Sequence, residues 1–288
     1  GRVYFAFGMY GCACIDTETG GILWTNQNLI HDHDSNGPGS APILYKDFLI
    51  LNCDGTQLRY VAALNKNTGE IAWQTDRSNE MADDTGHRRK AYATPLVITV
   101  DGKDQLVSPG AERVSSYDPN TGREIWFADY NGFSNVPTPV YGKGKVYITT
   151  GFGKAQLYAI RPTGKGNVTK SHVDWINKRS ISLKPSPLMI GDHLFLAADN
   201  GVASCIDADS GKTIWNERIG GEYSASPLFA DGRIYFFSMD GQITVVEPSA
   251  AFNTLATSKL GDGFMATPAI VGKAIFLRSK SHLYRVEL

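Results

Sequence analysis

The feature that most constrains this chain of 288 residues is a tryptophan that returns at a nearly regular interval. Four of the five tryptophans close the same phrase, in which Thr-Gly or Ser-Gly precedes three variable residues and the tryptophan. The phrase occupies residues 19–24, 68–73, 121–126 and 210–215. A second phrase, Ser, Thr or Ala followed by proline, ends at Pro42, Pro95, Pro139, Pro187, Pro227 and Pro268. Their shared period of about 40 to 53 residues is the length of a four-stranded propeller blade, and not of a helical hairpin or a leucine-rich repeat.

Each period consists of extended runs separated by turns that contain Gly and Asp, which predicts four strands, A to D from the innermost outwards. Strand B is predicted near residues 2, 47, 104, 145, 193, 233 and 275, and a strand C follows each of them. Strands A and D are each predicted six times, the last D near Ala256. We therefore predict an all-β fold, a seven-bladed β-propeller of four-stranded antiparallel blades that forms a single domain over residues 1–288. The D and A strands that would close it are expected upstream of Gly1.

The turns between strands C and D begin with an acid or amide and end with glycine. The residues at their start are Asp16, Asn65, Asp118 and Asp207. Such side chains accept hydrogen bonds from the turn backbone, and glycine provides a positive φ. We interpret these four residues as turn caps and not as catalytic acids.

The turn cap and the tryptophan together form the pattern Asp-x-x-Thr-Gly-x-x-x-Trp, which runs from Asp16 to Trp24 and recurs with small changes. On this pattern the chain resembles the quinoprotein-type, or PQQ-like, β-propeller repeat family over essentially its whole length. That family includes calcium- and quinone-dependent alcohol dehydrogenases, an outer-membrane assembly lipoprotein and exported proteins of unassigned role. The dehydrogenases hold their quinone beside a disulfide between adjacent cysteines. Since this sequence has no adjacent cysteine pair, the resemblance implies no quinone or calcium ligand here.

Composition and charge exclude several classes of partner. A formal net charge of -1 and an isoelectric point near 6.7 give no field that would attract nucleic acid. No apolar run approaches the roughly 20 residues of a membrane-spanning helix, so no transmembrane segment is predicted. The four cysteines lack metal-finger spacing and are predicted to be buried thiols. The family resemblance implies a periplasmic or otherwise exported location.

Two long polar connections, residues 26–39 and 76–92, are the candidate functional segments. In a propeller the connections from D to A and the turns from B to C open on the same face. Short connections would suffice for folding, so two long ones on one face are predicted to bind a partner.

The first connection contains the run His31 to Asp34, which suggests a metal site because imidazole and carboxylate are common metal ligands. On an extended segment His31 and His33 share one side, so such a site needs further ligands. Asp54 in the neighbouring turn, or His87, could supply them. The predicted metal ligands are His31, His33 and Asp54, and the alternative is a polar loop exposed to solvent.

Cationic and aromatic side chains on the same face suggest an anionic ligand. Arginine grips carboxylate, sulfate or phosphate through two hydrogen bonds. The predicted ligand-binding residues are His33, His87, Arg89, Tyr92, Arg113, Lys154 and Lys184.

Two function classes follow from these features. The leading hypothesis is a non-catalytic exported propeller that acts as a binding or scaffold module for a protein or an anionic glycan. The alternative is an enzyme acting on acidic polysaccharide, in which an arginine neutralises a uronate carboxylate while Tyr92 or His33 moves the C5 proton, as in a lyase. A quinone-dependent dehydrogenase is a further alternative. The sequence leaves open whether the chain is an enzyme and identifies no cofactor.

Overall fold

The computed structural model describes residues 1–33, 36–80 and 86–287, and nearly all of its regular structure is β-strand. The strands form seven small sheets of three to five strands, in which neighbouring strands are mostly antiparallel. The predicted all-β, seven-bladed β-propeller is therefore confirmed. Within the described residues the helical structure is limited to a 3₁₀ turn at Gly8–Tyr10 and one helical turn, α1, at Gly86–Arg89.

The strands are numbered in chain order. The first sheet contains β1 (Arg2–Ala6), β2 (Cys12–Asp16) and β3 (Ile22–Asn26). The second contains β4 (Ile43–Tyr45), β5 (Phe48–Asp54), β6 (Arg59–Asn65) and β7 (Ile71–Asp76). The third contains β8 (Leu96–Val100), β9 (Lys103–Pro109), β10 (Arg113–Tyr117) and β11 (Glu124–Asp129). The fourth contains β12 (Val140–Gly142), β13 (Lys145–Thr149), β14 (Leu157–Ile160) and β16 (Val173–Asn177).

The remaining sheets repeat the same order. The fifth contains β17 (Leu188–Ile190), β18 (His193–Ala197), β19 (Val202–Asp207) and β20 (Thr213–Arg218). The sixth contains β21 (Leu228–Ala230), β22 (Arg233–Phe237), β23 (Gln242–Val246) and β24 (Thr254–Lys259). The seventh contains β25 (Ala269–Val271), β26 (Ala274–Arg278) and β27 (Leu283–Glu287). In the described part of the chain the first and seventh sheets have three strands each, which matches the predicted six A and six D strands.

The chain divides into two compact units. One comprises residues 1–139, 150–154 and 160–174, and the other comprises residues 140–149, 155–159 and 175–288. Each unit has its own apolar clusters between successive sheets. In the first unit, for example, Leu49 and Leu51 of β5 pack with Cys14 and Trp24 of the first sheet. The single domain over residues 1–288 stays a prediction.

Three of the tryptophans join successive sheets through the same set of contacts. The indole N–H of Trp24 donates to the Lys66 carbonyl at 3.0 Å, and that of Trp73 donates to the Pro119 carbonyl at 3.2 Å. Each ring covers the glycine that ends the same turn. A Cβ added at Gly122 would lie 2.5 Å from Trp73 Cε3, and φ there is +73°. Trp175 makes the equivalent contacts with Ala208 and Gly211.

The residue two positions after the tryptophan completes each of these joints. Asn26 Nδ2 donates to the Gly69 carbonyl at 2.6 Å, and Thr75 Oγ1 donates to the Gly122 carbonyl at 2.8 Å. Asn177 Nδ2 reaches the Gly211 carbonyl at 2.8 Å. We call this arrangement of glycine, tryptophan and polar side chain the glycine–tryptophan joint.

Trp126 makes a different contact. Its indole N–H donates to Gln105 Oε1 within its own sheet at 2.8 Å, and its side chain is fully buried. The cover comes from an additional strand, β15 (Gly166–Asn167), which pairs in parallel with β11 at the outer edge of the third sheet. The long connection between β14 and β16 supplies this strand.

The four turn-start residues cap their turns as interpreted from the sequence. Asp16 Oδ1 accepts hydrogen bonds from the backbone N–H of Glu18 and Thr19 at 3.0 and 2.9 Å. These bonds lower the pKa of the Asp16 carboxyl group. Asn65, Asp118 and Asp207 accept equivalent bonds within their own turns.

Candidate functional site

Both long connections pack around the turn between β5 and β6, residues 54–58. The N–H of Thr56 donates to the Asp32 carbonyl at 2.7 Å, and Arg89 Nη2 donates to the Gln57 carbonyl at 2.9 Å. Gly55 permits this approach, because a Cβ there would lie 2.6 Å from the Asp32 carbonyl oxygen. The two segments singled out in the sequence therefore form one assembly with this turn.

An ion pair between Asp54 and Arg77 lies at the centre of the assembly. Arg77 Nε donates to Asp54 Oδ1 at 2.8 Å and Nη2 donates to Oδ2 at 2.5 Å, with side-chain exposures of only 3% and 1%. Arg77 Nη1 also donates to the Ser108 carbonyl at 3.1 Å. Burial alone would lower the pKa of the Arg77 guanidinium, but the Asp54 carboxylate outweighs burial and raises it. Arg77 engages both carboxylate oxygens of Asp54, so the pair has a structural role. We call this ion pair the clasp.

Further buried polar groups extend this clasp. Ser108 Oγ donates to Asn52 Oδ1 at 2.6 Å, and Asn52 Nδ2 donates to the Ala93 carbonyl at 2.8 Å. The Ala91 N–H donates to the Asp54 carbonyl at 3.3 Å. Residues 91–93 are thereby fixed to β5, and Ser108 of β9 holds the Asn52 side chain in place. Satisfied networks of this kind hold a loop in one conformation.

His31 and His33 are buried beside this clasp, with ring centroids 5.3 Å apart. His31 also contacts the ring of Tyr60, and His33 that of Tyr92. Burial, reinforced by the neighbouring His33, lowers the pKa of His31 to about 4. Burial also lowers the pKa of His33. Both imidazoles are therefore neutral near pH 7.

The unfolding free energy is expected to fall as the pH decreases from about 6.5 to about 4, by about 2–3 kcal/mol from His31. The lowered pKa of His33 adds to this loss in the same direction. In that window the unfolded chain binds protons that the folded chain, with its lowered histidine pKa values, does not. Replacing His31 and His33 by glutamine should remove this part of the pH dependence, as measured by urea unfolding across the window. The exposed His282→Gln provides the control, and an unchanged pH profile in the double variant would contradict the prediction.

The predicted metal ligands His31, His33 and Asp54 lie near one another, but their arrangement gives the metal hypothesis no support. Arg77 occupies both carboxylate oxygens of Asp54. Across residues 1–33, 36–80 and 86–287, no group of three or more His, Cys, Asp or Glu side chains is placed to hold a metal ion. Asp34, part of the same sequence run, lies outside the described residues.

The predicted anion-binding residues are dispersed, and several are engaged internally. Arg113 Nε donates to Asp129 Oδ1 at 2.6 Å, and its guanidinium lies over the Phe127 ring at 3.6 Å. Lys154 is exposed, and His87 is exposed in α1. Lys184 belongs to the other unit and pairs with Asp199 at 3.3 Å. Among the predicted residues, His33, Arg89 and Tyr92 lie around the 54–58 turn.

Tyr92 and His33, the candidate proton carriers, are buried in this assembly. The Tyr92 hydroxyl accepts a hydrogen bond from Asn36 Nδ2 at 3.1 Å. All four cysteines are buried free thiols, and burial raises the pKa of Cys12 to about 11 and that of Cys205 to about 12. These features give no support to lyase or thiol chemistry at the positions considered.

An aromatic cluster at the nearby 130–139 connection is a feature that sequence reasoning missed. Phe152 is 60% exposed, and its ring packs edge-on against Phe133 with centroids 5.6 Å apart. The backbone fixes the pair, since the Phe152 N–H donates to the Phe133 carbonyl at 2.7 Å. The Arg88 guanidinium lies 5.4 Å from the centre of the Phe133 ring. We call Arg88, Phe133, Phe152 and the exposed Lys154 the aromatic patch.

Seven sheets of mainly antiparallel strands, with glycine–tryptophan joints between three pairs of successive sheets, define a β-propeller of the PQQ-like class. Residues 1–110 and 166–251 match the family model described as "Outer membrane protein assembly factor BamB". The chain belongs to that family. Among the described residues, no helix is long and apolar enough to span a membrane.

Individual relatives agree with this assignment. The chain is 24% identical over 229 residues to "Outer membrane protein assembly factor BamB" of Francisella tularensis, a match that covers 78% of this chain and 45% of the relative. It spans about half the length of the curated BamB relatives it matches, from 45% to 55%.

Solved structures show the same fold. The crystal structure of BamB from Moraxella catarrhalis superposes with a TM-score of 0.73 at 14% identity, over 99% of this chain and 81% of that one. A europium-containing methanol dehydrogenase superposes with a TM-score of 0.68 at 15% identity, over 96% of this chain and 71% of that one. At these identities the likeness concerns the fold alone.

Proposed function

We propose that the chain is a non-catalytic, exported scaffold that binds protein partners during the assembly of outer-membrane proteins. Membership of the BamB family supports this role, because the relatives carry the description of outer membrane protein assembly factors. A periplasmic location and a single propeller domain over residues 1–288 are part of the same proposal.

The observation that carries the proposal is the aromatic patch. Exposed apolar side chains are common singly, but Phe152 is held by a backbone hydrogen bond and by a second aromatic ring. Aromatic residues and arginine are enriched among the residues that contribute most to protein–protein binding. A fixed, exposed phenylalanine also loses little conformational entropy when a partner covers it.

Neighbouring residues support a protein partner at this patch. Lys154, two residues after Phe152, supplies an exposed cation at its rim. The backbone of Ser134 donates to the Lys90 carbonyl at 2.8 Å, and that of Tyr92 donates to the Asn135 carbonyl at 2.6 Å. In this proposal these backbone hydrogen bonds fix the conformation of the 130–139 connection, and the exposed residues of the aromatic patch contact the partner.

Phe152→Ala is expected to weaken capture of the partner at least about tenfold, because truncating a central aromatic residue commonly costs about 2 kcal/mol or more. The tagged chain and the variant would be incubated with solubilised envelope from the bacterium that encodes it, and captured proteins quantified by mass spectrometry. Phe229→Ala, at an exposed phenylalanine in β21, is the matched control. Equal capture by the Phe152 variant and the unaltered chain would overturn the site. Capture that excludes every outer-membrane assembly component would overturn the function.

No observation in the described residues favours the anionic glycan partner or the lyase over this role. Arg113 pairs with Asp129, and Tyr92 and His33 lie buried. The proposal therefore takes a protein as the partner.

A further inference from the structure

The described part of the first unit contains a polar groove far from the aromatic patch. It lies at the opposite ends of β5 and β9 from the 54–58 turn, about 20 Å away along a seven-residue strand. Its volume is about 580 Å³, and its walls are the turns at residues 45–46, 100–105 and 118–125 together with residues 163–165.

The fourth wall is fixed in place by hydrogen bonds to the third sheet. The Val168 N–H donates to the Phe127 carbonyl at 2.8 Å, and the Asp129 N–H donates to Thr169 Oγ1 at 2.9 Å. Gln105 Nε2 donates to the Pro162 carbonyl at 3.1 Å. The groove is thus preformed, and a ligand would not have to order this segment on binding.

Four cationic side chains line the groove, and all four are exposed. They are Lys46, Lys103, Arg123 and Lys165. Within the described residues none of them forms an ion pair, although Lys46 Nζ donates to Asn120 Oδ1 at 3.2 Å. These cations remain available to an incoming carboxylate.

Two of the three carboxylates of the groove, those of Asp104 and Asp118, accept hydrogen bonds from neutral partners. Asp104 Oδ1 accepts from Thr99 Oγ1 at 2.7 Å and Oδ2 accepts from the Tyr45 hydroxyl at 2.9 Å, bonds that lower the pKa of this carboxyl group. Asp118 caps its own turn through Asn120. Lys46 attracts the Asp104 carboxylate, and Arg123 attracts that of Asp118, but neither cation is within ion-pair distance. The carboxylates therefore hold these two cations only weakly.

We propose that this groove binds an extended polypeptide segment rich in acidic side chains. The four cations can pair with carboxylates spaced along such a segment, and the partly exposed Ile125 offers apolar contact to the intervening residues. Three aspartates in the same groove, including Asp101, disfavour a uniform polyanion such as polyphosphate. A peptide with neutral residues between its acids avoids that repulsion. This binding does not depend on the proposed function.

The test is fluorescence anisotropy with a labelled peptide of alternating Glu and Ser, titrated with the full chain. Lys103→Glu combined with Lys165→Glu is expected to weaken binding by at least about tenfold, because two attractions are replaced by two repulsions. Lys273→Glu combined with Lys280→Glu makes the same change in net charge at exposed positions elsewhere and should leave binding within about twofold.

Three outcomes would overturn the proposal. The first is the absence of saturable binding by the Glu-Ser peptide. The second is equal weakening by both double variants, which would indicate a response to net charge alone. The third is tighter binding of inorganic polyphosphate than of the peptide. Circular dichroism of each variant checks that the fold is retained.

Discussion

Arg77→Met is expected to lower the unfolding free energy by about 3–5 kcal/mol, the range for removing one partner of a buried ion pair. The variant leaves the Asp54 carboxylate buried without its cation, and it also removes the hydrogen bond to the Ser108 carbonyl. Urea unfolding monitored by tryptophan fluorescence gives the free energy directly.

Two companion variants make this result specific. Arg161→Met breaks a more exposed pair, with Asp174 at 2.7 Å, and should cost only about 0.2–1 kcal/mol. Adding Asp54→Leu to Arg77→Met should recover more than half of the lost stability, because no uncompensated charge then remains buried. A loss of unfolding free energy below about 1 kcal/mol for Arg77→Met alone would show that the pair does not hold the second connection to β5 and β9.

Gly122→Ala is expected to destabilise the chain by about 2–5 kcal/mol, through two separate effects. Its φ of +73° is unfavourable for alanine. The added Cβ would also lie 2.5 Å from Trp73 Cε3 and 2.6 Å from Thr75 Oγ1. The indole ring of Trp73 therefore has to move away from this turn. Chemical unfolding gives the magnitude, and a shift of the emission maximum to longer wavelength reports exposure of the indole.

Gly20→Ala separates the two effects. Gly20 has nearly the same φ, +71°, but among the described residues nothing lies within 4 Å of its added Cβ. Gly20→Ala should therefore lower the unfolding free energy only through backbone strain, by about 1–2 kcal/mol, and should not shift the emission maximum of tryptophan. Equal losses of unfolding free energy at Gly20 and Gly122 would mean that the packing of Trp73 on Gly122 contributes nothing to stability.

The repeat phrases predicted the fold because the information they carry is local. The glycine that ends a turn and the tryptophan four residues later occur in one short segment, although they serve different neighbouring sheets. The contact of Trp126 could not be anticipated in this way. It depends on β15, which follows Trp126 by about 40 residues and pairs in parallel, an arrangement without a short-range signal.

The candidate site was predictable only in part. The alternation of an extended segment placed His31 and His33 on one side, and their rings lie 5.3 Å apart. Nothing local distinguishes the buried Arg77 from the partly exposed Arg88 eleven residues later, so the clasp with Asp54 was missed. The aromatic patch was missed because Phe133 and Phe152 belong to different connections and meet only through tertiary pairing.

Because the glycine–tryptophan joint recurs with the same contacts, segments of this chain that end at such joints are interchangeable in principle. A segment from Lys66 to Gly122 begins with the turn that receives Trp24, and it contains both Trp73 and the turn that receives Trp73. Duplicating such a segment would reproduce the same chemistry at the new junction. Duplication or deletion of such a segment can thus lengthen or shorten the array without new kinds of contact, and single units could be transplanted by the same rule.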